Sequence, residues 1–99
     1  MPYKVEFAES VEAQLQALTA RDRATTLAAI ERQLTDEPLR EARNRKPLRP
    51  NPIAPWELRV GALRVFYEVI GPPTRVVRVL GVGQKRRNVL TIGGEEIRL

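Results

Sequence analysis

The first apolar residues of the chain alternate with charged ones. Tyr3, Val5 and Phe7 are separated by Lys4 and Glu6. A period of two places the aromatic and aliphatic side chains on one face and the charges on the other, which is typical of a half-buried strand. The sequence therefore predicts a short strand at the start of the chain.

The pattern then changes to helical spacing. Val11, Leu15 and Leu18 repeat at the intervals of one helix face, and Ser10 stands before them as a candidate N-cap. These residues predict a first, short helix.

A second helix follows almost at once. Its apolar stripe is formed by Leu27, Ile30 and Leu34. Thr19 or Asp22 provides a side-chain cap, and Pro38 is expected to end the helix near Glu37. Because residues 19–23 allow only a tight connection, we expect the two helices to lie antiparallel and to turn their apolar faces to a common sheet.

Residues 38–55 show neither the period of two of a strand nor the spacing of a helix. This connector contains five of the eight prolines of the chain, and such a segment is extended and stiff. Its basic residues are Arg40, Arg43, Arg45, Lys46 and Arg49, against the single acid Glu41. Long loops without secondary structure are often functional, so the connector is a candidate binding segment.

The period of two returns at Trp56 and predicts three strands in a meander. The strands cover residues 56–60, 63–70 and 75–83. Gly61-Ala62 suits a tight hairpin turn with glycine at its first central position, and residues 71–74 form the second loop.

Together these elements predict one α+β domain over residues 1–99. It consists of an N-terminal strand, an antiparallel helical hairpin and a three-stranded antiparallel meander, which form one sheet backed by the helices. Residues 88–99 are expected to form either a short further strand or a loosely packed extension.

The amino-acid composition limits which side chains could bind a metal or carry out catalysis. The chain has 99 residues, no Cys and no His, which removes disulfides, Cys-based metal sites and the usual zinc ligand and proton shuttle. We expect no metal and no cofactor, so catalysis would depend on carboxylates, Lys, Arg, Tyr or hydroxyl groups. No apolar run resembles a signal peptide or a membrane span, so a cytoplasmic location without membrane contact is expected.

The charge of the chain is unevenly distributed. The formal net charge is +5, with −3 in residues 1–37 and +8 in residues 38–99. One side of the folded molecule should therefore carry a positive field, and a phosphate backbone is the obvious partner for such a surface.

The predicted hairpins bring two arginines together. A turn at Gly61-Ala62 places Arg59 directly opposite Arg64, and a second turn at 71–74 places Gly81 opposite Arg64 as well. Like charges that face each other destabilise a ladder unless Glu57 or a bound anion neutralises them. Since guanidinium groups bind phosphate oxygens in pairs, the site is a candidate phosphate-binding depression, with residues 84–87 at its rim.

A structural interpretation stays open for each of these residues. Arginine is common on solvated strand faces, and Glu57 could simply pair with one of the two arginines. The connector cations and the run Lys85, Arg86 and Arg87 could be ordinary solvated side chains, and Trp56 is more often a packing residue than a base-stacking platform.

Two segments carry a family resemblance. Residues 56–69 read WELRVGALRVFYEV and residues 79–87 read VLGVGQKRR. With the preceding strand, helical hairpin and basic connector, they resemble the RelE/ParE superfamily of bacterial toxins over nearly the whole chain. The resemblance implies an antitoxin partner. We expect this antitoxin to be acidic where it covers the basic half and to add apolar contacts at an exposed sheet edge or helix groove.

The resemblance also implies a reaction. Ribosome-dependent members of the superfamily cleave mRNA in the A site by attack of a ribose 2′-oxygen on the adjacent phosphate. Arg64 matches their phosphate-stabilising arginine, and Lys85 or Arg86 falls where a second basic group usually lies. We therefore interpret Arg64, Arg59, Lys85 and Glu57 as the catalytic set, with Glu57 or Glu68 as base. The residues expected to bind RNA phosphates are Arg43, Arg45, Lys46, Arg49, Arg86 and Arg87.

Other positions depart from the pattern. Pro55 and Glu57 stand where RelE-like nucleases have lysines, Lys46 where another branch has a glutamate, and Thr91 where a tyrosine is usual. Two functions therefore remain open. One is a ribosome-dependent endoribonuclease that acts on mRNA, and the other is a ParE-type toxin that binds a protein target such as DNA gyrase.

Overall fold

Two helices and seven strands make up the fold of residues 2–98, which a computed structural model describes. The elements are β1 (Lys4–Phe7), α1 (Val11–Gln16), α2 (Ala20–Leu34), β2 (Arg45–Pro47), β3 (Trp56–Val60), β4 (Leu63–Ile70), β5 (Val76–Arg86), β6 (Val89–Ile92) and β7 (Glu95–Ile97). The predicted α+β class, the N-terminal strand and the two helices are confirmed.

The strands form one seven-stranded sheet. Its order is β2-β3-β4-β5-β6-β7, and β1 pairs parallel with β5. The predicted antiparallel meander β3-β4-β5 is present, and it lies at the centre of the sheet. The expectation of only three meander strands was wrong, because the connector supplies β2, and the C-terminal segment supplies β6 and β7.

The long strand β5 has two neighbours on the edge away from β4. β1 pairs with Val76–Val79, and β6 pairs with Gly83–Arg86. Between them, the side-chain oxygen of Gln14 on α1 accepts a hydrogen bond of 2.9 Å from the backbone N–H of Val82. Gln14 on the helix therefore provides an acceptor for the N–H group of Val82, which pairs with neither β1 nor β6.

The connector is folded rather than merely extended. Its strand β2 pairs antiparallel with β3. Further along, the amide side chain of Asn51 donates to the carbonyls of Arg49 and Ala54 and accepts from the N–H groups of Ile53 and Ala54. These bonds close a turn that lays the connector over the sheet.

The sheet is covered on both faces. The core between the helices and the sheet contains Val11, Ala29, Ile30, Leu34, Leu58, Val65, Tyr67, Val77, Val79 and Val82. A smaller core on the opposite face contains Ala54, Phe66 and Leu90, with Leu48, Ile53, Leu80, Ile92 and Ile97 packed against it. The connector and the C-terminal strands therefore bury the face that the helices leave open, and the candidate residues Glu57 and Arg64 lie on this face.

The helix ends differ from the sequence expectation in two places. Ser10 makes no side-chain capping bond, whereas Thr19 accepts a hydrogen bond of 3.1 Å from the N–H of Asp22. The helix α2 ends at Leu34 rather than near Glu37. The guanidinium of Arg45 donates to the carbonyls of Gln33 and Glu37, at 2.9 Å each. The bond to Gln33 satisfies a carbonyl that a further helical turn would use, so the helix can end there.

The two candidate caps give a matched pair of variants. We expect Thr19→Ala to lower the free energy of unfolding by about 1 kcal/mol, because the N–H of Asp22 loses its partner. Ser10→Ala should change the free energy of unfolding by less than about 0.5 kcal/mol, since no capping bond is lost. Urea denaturation of both variants checks this prediction, and an equal loss in the two would contradict it.

Among residues 2–98, no helix is long and apolar enough to cross a membrane.

Candidate functional site

Two arginines face each other across the β3-β4 hairpin. Gly61 has a φ of +59°, which glycine adopts without strain, and the tight turn there pairs Val60 with Leu63 and Arg59 with Arg64. Both arginine side chains lie on the sheet face opposite the helices. The predicted pairing of Arg59 with Arg64 across the hairpin is present.

A buried carboxylate lies beside them. Glu57 is only 5% exposed, and its Oε1 accepts a hydrogen bond of 2.7 Å from Nε of Arg59. The backbone of Lys46 on β2 lies directly opposite Glu57, which places the lysine on the same face. A buried carboxylate requires a charged or hydrogen-bonding partner, and Arg59 supplies one.

Arg64 is held by the hairpin itself. Its Nη1 donates to the carbonyl oxygens of Gly61 at 2.7 Å and Leu63 at 2.8 Å. Its Nε is buried and makes no hydrogen bond with the described residues. Burial lowers the pKa of Arg64, the charge of Glu57 opposes this shift and the charge of Arg59 adds to it. A bound anion would offset the cost of burying this positive charge and would reduce the repulsion between the arginines.

A pocket of about 260 Å³ opens next to this cluster. Its lining residues are Glu57, Lys85, Asn88, Leu90, Ile97 and Arg98. The pocket brings the exposed amine of Lys85 to the same opening as the carboxylate of Glu57. Ile97 and Arg98 also line it. The sequence does not predict their part in the pocket, because it leaves open whether residues 88–99 form a strand or an extension.

The predicted hollow at Gly81 is wrong. β5 begins at Val76, so the second loop has one residue more than expected, and a β-bulge next to Phe66 shifts the register once more. Gly83 therefore lies opposite Arg64. Gly83 provides no hollow either, because a Cβ atom built there would lie 2.1 Å from the carbonyl oxygen of Thr91 on β6.

The other candidate base, Glu68, lies apart from the arginine pair. Its backbone pairs with that of Arg78, and its carboxylate lies 3.6 Å from the guanidinium of that residue. Of the two carboxylates proposed as the base, Glu57 is the one in contact with the cluster.

The basic residues expected to bind RNA fall into three groups. Lys46 and Arg49 line a pocket of about 470 Å³ in the connector. Arg43, Arg86 and Arg87 are exposed, and Arg86 donates to the side-chain oxygen of Gln84 at 3.0 Å. Arg45 donates to carbonyls at the end of α2, so its guanidinium lies on the helix side of the sheet.

The described residues contain no group of three or more acidic, His or Cys side chains that could hold a metal ion.

Two solved structures are similar to this fold. A chain of the toxin–antitoxin complex RelBE2 from Mycobacterium tuberculosis superposes with a TM-score of 0.72 at 28% sequence identity, covering 86% of this chain and 100% of that chain. A chain of the archaeal RelE–RelB complex from Pyrococcus horikoshii OT3 superposes with a TM-score of 0.67 at 23% identity, covering 88% of this chain and 99% of that chain. Neither a protein-family model nor a curated protein matches the sequence.

Proposed function

We propose that this chain, a RelE-superfamily protein by its motifs and its fold, is the toxin of a toxin–antitoxin pair and cleaves mRNA in the ribosome. The similarity to two RelE complexes supports the first part of the proposal. The arrangement of Glu57, Arg59 and Arg64 beside the Lys85 pocket supports the second.

The reaction requires charge stabilisation and two proton transfers. The 2′-oxygen of a ribose forms a bond to the adjacent phosphorus while the bond from phosphorus to the 5′-oxygen breaks. A base takes the 2′-proton, cations stabilise the pentacoordinate phosphorane, and an acid protonates the 5′-oxygen. The products are a 2′,3′-cyclic phosphate and a 5′-hydroxyl.

The cluster offers a group for each requirement. Arg59 and Arg64 lie side by side and can both bind the phosphate oxygens. Glu57 accepts the 2′-proton, since its carboxylate bonds to Arg59 and it lines the same pocket as Lys85. Lys85 reaches the same pocket and supplies a cation and a proton for the 5′-oxygen.

Glu57→Gln tests the role of the carboxylate. We expect single-turnover cleavage of ribosome-bound mRNA to fall by about 100-fold, because an amide cannot accept the 2′-proton. Glu68→Gln is the matched control and should change the rate less than about twofold, since Glu68 pairs with Arg78 outside the cluster. Unchanged cleavage in Glu57→Gln would return that residue to the role of charge partner for Arg59.

A specific observation favours a second candidate function. Glu57, Pro55 and Thr91 occupy positions where RelE-like nucleases carry lysines and a tyrosine. A ParE-type toxin that binds DNA gyrase needs no such groups. Expression of the chain separates the two functions, since a nuclease halts protein synthesis and leaves new mRNA ends in A-site codons, whereas a gyrase poison triggers DNA-damage signalling and filamentation.

The proposed antitoxin should carry acidic residues where it covers the cluster. The half of the chain that supplies the cluster has a net charge of +8, and bringing a carboxylate-rich segment onto it would compete directly with an RNA phosphate.

A further inference from the structure

The pocket beside Glu57 has apolar walls as well as charged ones. Leu90 and Ile97 belong to the second core, and Leu90 is only 6% exposed, so packing fixes these walls. The charged side chains that line the pocket are those of Glu57, Lys85 and Arg98. At about 260 Å³ the pocket is smaller than those that hold drug-sized ligands. A single nucleobase, which has apolar faces and a polar edge, matches both its size and its lining.

Asn88 is the uncharged polar residue among those that line this pocket. It occupies the second position of the two-residue turn between β5 and β6, since Arg86 pairs with Val89. Its φ is +64°, and that of the preceding Arg87 is +53°. Two positive φ angles in succession are typical of a tight hairpin turn, and asparagine adopts this left-handed conformation more readily than most residues. The turn therefore fixes the backbone of Asn88 at the edge of the pocket.

The side-chain amide of Asn88 carries a hydrogen-bond donor and an acceptor next to each other. The side-chain hydrogen bonds of this hairpin, within residues 2–98, join Arg86 to the side chain of Gln84 and Thr91 to its carbonyl. Neither bond uses the amide of Asn88. Such an amide forms a pair of hydrogen bonds with adenine, because it accepts from the exocyclic amino group and donates to N7. Single-stranded RNA presents these base edges to proteins.

The tryptophan that was a candidate for base stacking lies on the other face of the sheet. Trp56 pairs with Tyr67 across β3 and β4, and the two rings stack with their centroids 6.1 Å apart. Both residues pack in the core under the helices. On the face that holds the pocket, Leu90 and Ile97 provide the apolar contacts for a base.

We propose that this pocket binds the base next to the cleaved phosphate and that Asn88 selects adenine there. The inference rests on the proposed function, because it assigns a base to the site at which the message is cut. Arg98 lines the same pocket and can bind a phosphate of that nucleotide. Asn88 is a specificity-determining residue and takes no part in proton transfer.

The cleavage experiment uses ribosomes programmed with messages in which the A-site codon is varied one base at a time. With the wild-type chain, we expect adenine next to the cut to give cleavage at least about tenfold faster than the other bases, since one paired contact discriminates to this extent. Asn88→Gly should reduce the preference to about twofold or less, because glycine adopts the same positive φ but has no amide. Asn88→Asp should lose it as well, because a carboxylate cannot donate to N7.

Two controls separate the amide from the turn. Gln16→Glu replaces an exposed amide on α1 by a carboxylate and should keep the adenine preference. The urea denaturation midpoint of Asn88→Gly should match that of the wild type, because the turn is retained. A changed preference in a variant with unchanged stability then reflects the loss of the amide.

An NMR titration of the full chain tests the pocket without the ribosome. The probes are adenosine 3′-monophosphate and uridine 3′-monophosphate, and the methyl signals of Leu90 and Ile97 report on binding. In the wild type, we expect these signals to shift at about tenfold lower concentrations of the adenosine nucleotide. In Asn88→Gly the two nucleotides should act at similar concentrations.

The outcomes distinguish this inference from the proposed function. Wild-type cleavage that does not depend on the base, or an adenine preference that persists in Asn88→Gly, would overturn the inference while the nuclease activity stood. Absence of cleavage of every message by the wild type would instead remove the proposed function. The titration then decides on the pocket by itself, and an equal response to both nucleotides in the wild type would overturn it.

Discussion

Replacing Arg64 with alanine is expected to lower the rate of mRNA cleavage in the ribosome by about 100-fold to 1,000-fold. Arg64 lies opposite Arg59 across the hairpin, and the charges of Glu57 and Arg59 both act on it. In the proposed mechanism it stabilises the negative charge of the phosphorane. Removing one donor that stabilises such charge typically has an effect of this size. Toxicity on expression should be lost to the same extent, and single-turnover cleavage on programmed ribosomes measures the rate.

The fold should survive this substitution. Arg64 bonds to the carbonyls of Gly61 and Leu63. Gly61 lies in an exposed turn, where water can replace the side chain, so the free energy of unfolding should fall by only about 1 kcal/mol. Arg21→Ala on the exposed surface of α2 controls for the removal of a positive charge and should retain full activity. Full toxicity in a folded Arg64→Ala variant would remove this residue from the mechanism.

Gly83→Ala is expected to destabilise the fold by about 3 kcal/mol or more. The added Cβ atom would lie 2.1 Å from the carbonyl oxygen of Thr91 and 2.9 Å from Cγ1 of Ile92. Because the first of these neighbours is backbone, β6 must move, and overpacking of this kind is costly. The change in the free energy of unfolding can be measured by urea denaturation.

Gly81→Ala is the matched control two residues earlier on the same strand. A Cβ atom at Gly81 has its nearest neighbours at 3.7 Å, on Gln14 and Ile53, which is ordinary van der Waals contact. We expect the free energy of unfolding of Gly81→Ala to differ from that of the wild type by less than about 0.5 kcal/mol. Similar stabilities of the two variants would show that β6 does not approach β5 as closely as described.

The Gly83→Ala substitution should also disturb the pocket beside the candidate site. The close approach of β6 at Thr91 brings Leu90 onto Phe66 and into the wall of the pocket that Glu57 and Lys85 share. We therefore expect any Gly83→Ala protein that still folds to lose cleavage as well.

The first hairpin could be predicted residue by residue because its determinants are local. A two-residue turn with glycine at its first position fixes the register, so the pairing of Arg59 with Arg64 followed from the sequence. The second hairpin could not be placed so closely. Its loop is one residue longer than the turn residues indicated, and the bulge near Phe66 depends on packing.

The remaining differences between the sequence-based prediction and the structure arise from contacts between distant parts of the chain. The parallel pairing of β1 with β5 joins segments about seventy residues apart and leaves no local signal. β2 has only three residues, and one of them is Pro47, which reads as part of a loop. The wall formed by Ile97 and Arg98 could not be assigned to the site because residues 88–99 have too little periodicity to distinguish a strand from an extension.

Mapping mRNA ends on purified ribosomes programmed with a defined message tests the proposed mechanism most directly. With the wild-type chain, we expect cleavage within the A-site codon that leaves a 2′,3′-cyclic phosphate and a 5′-hydroxyl, and almost none with Arg64→Ala. Intact message in the presence of a wild-type chain that still arrests growth would contradict the account.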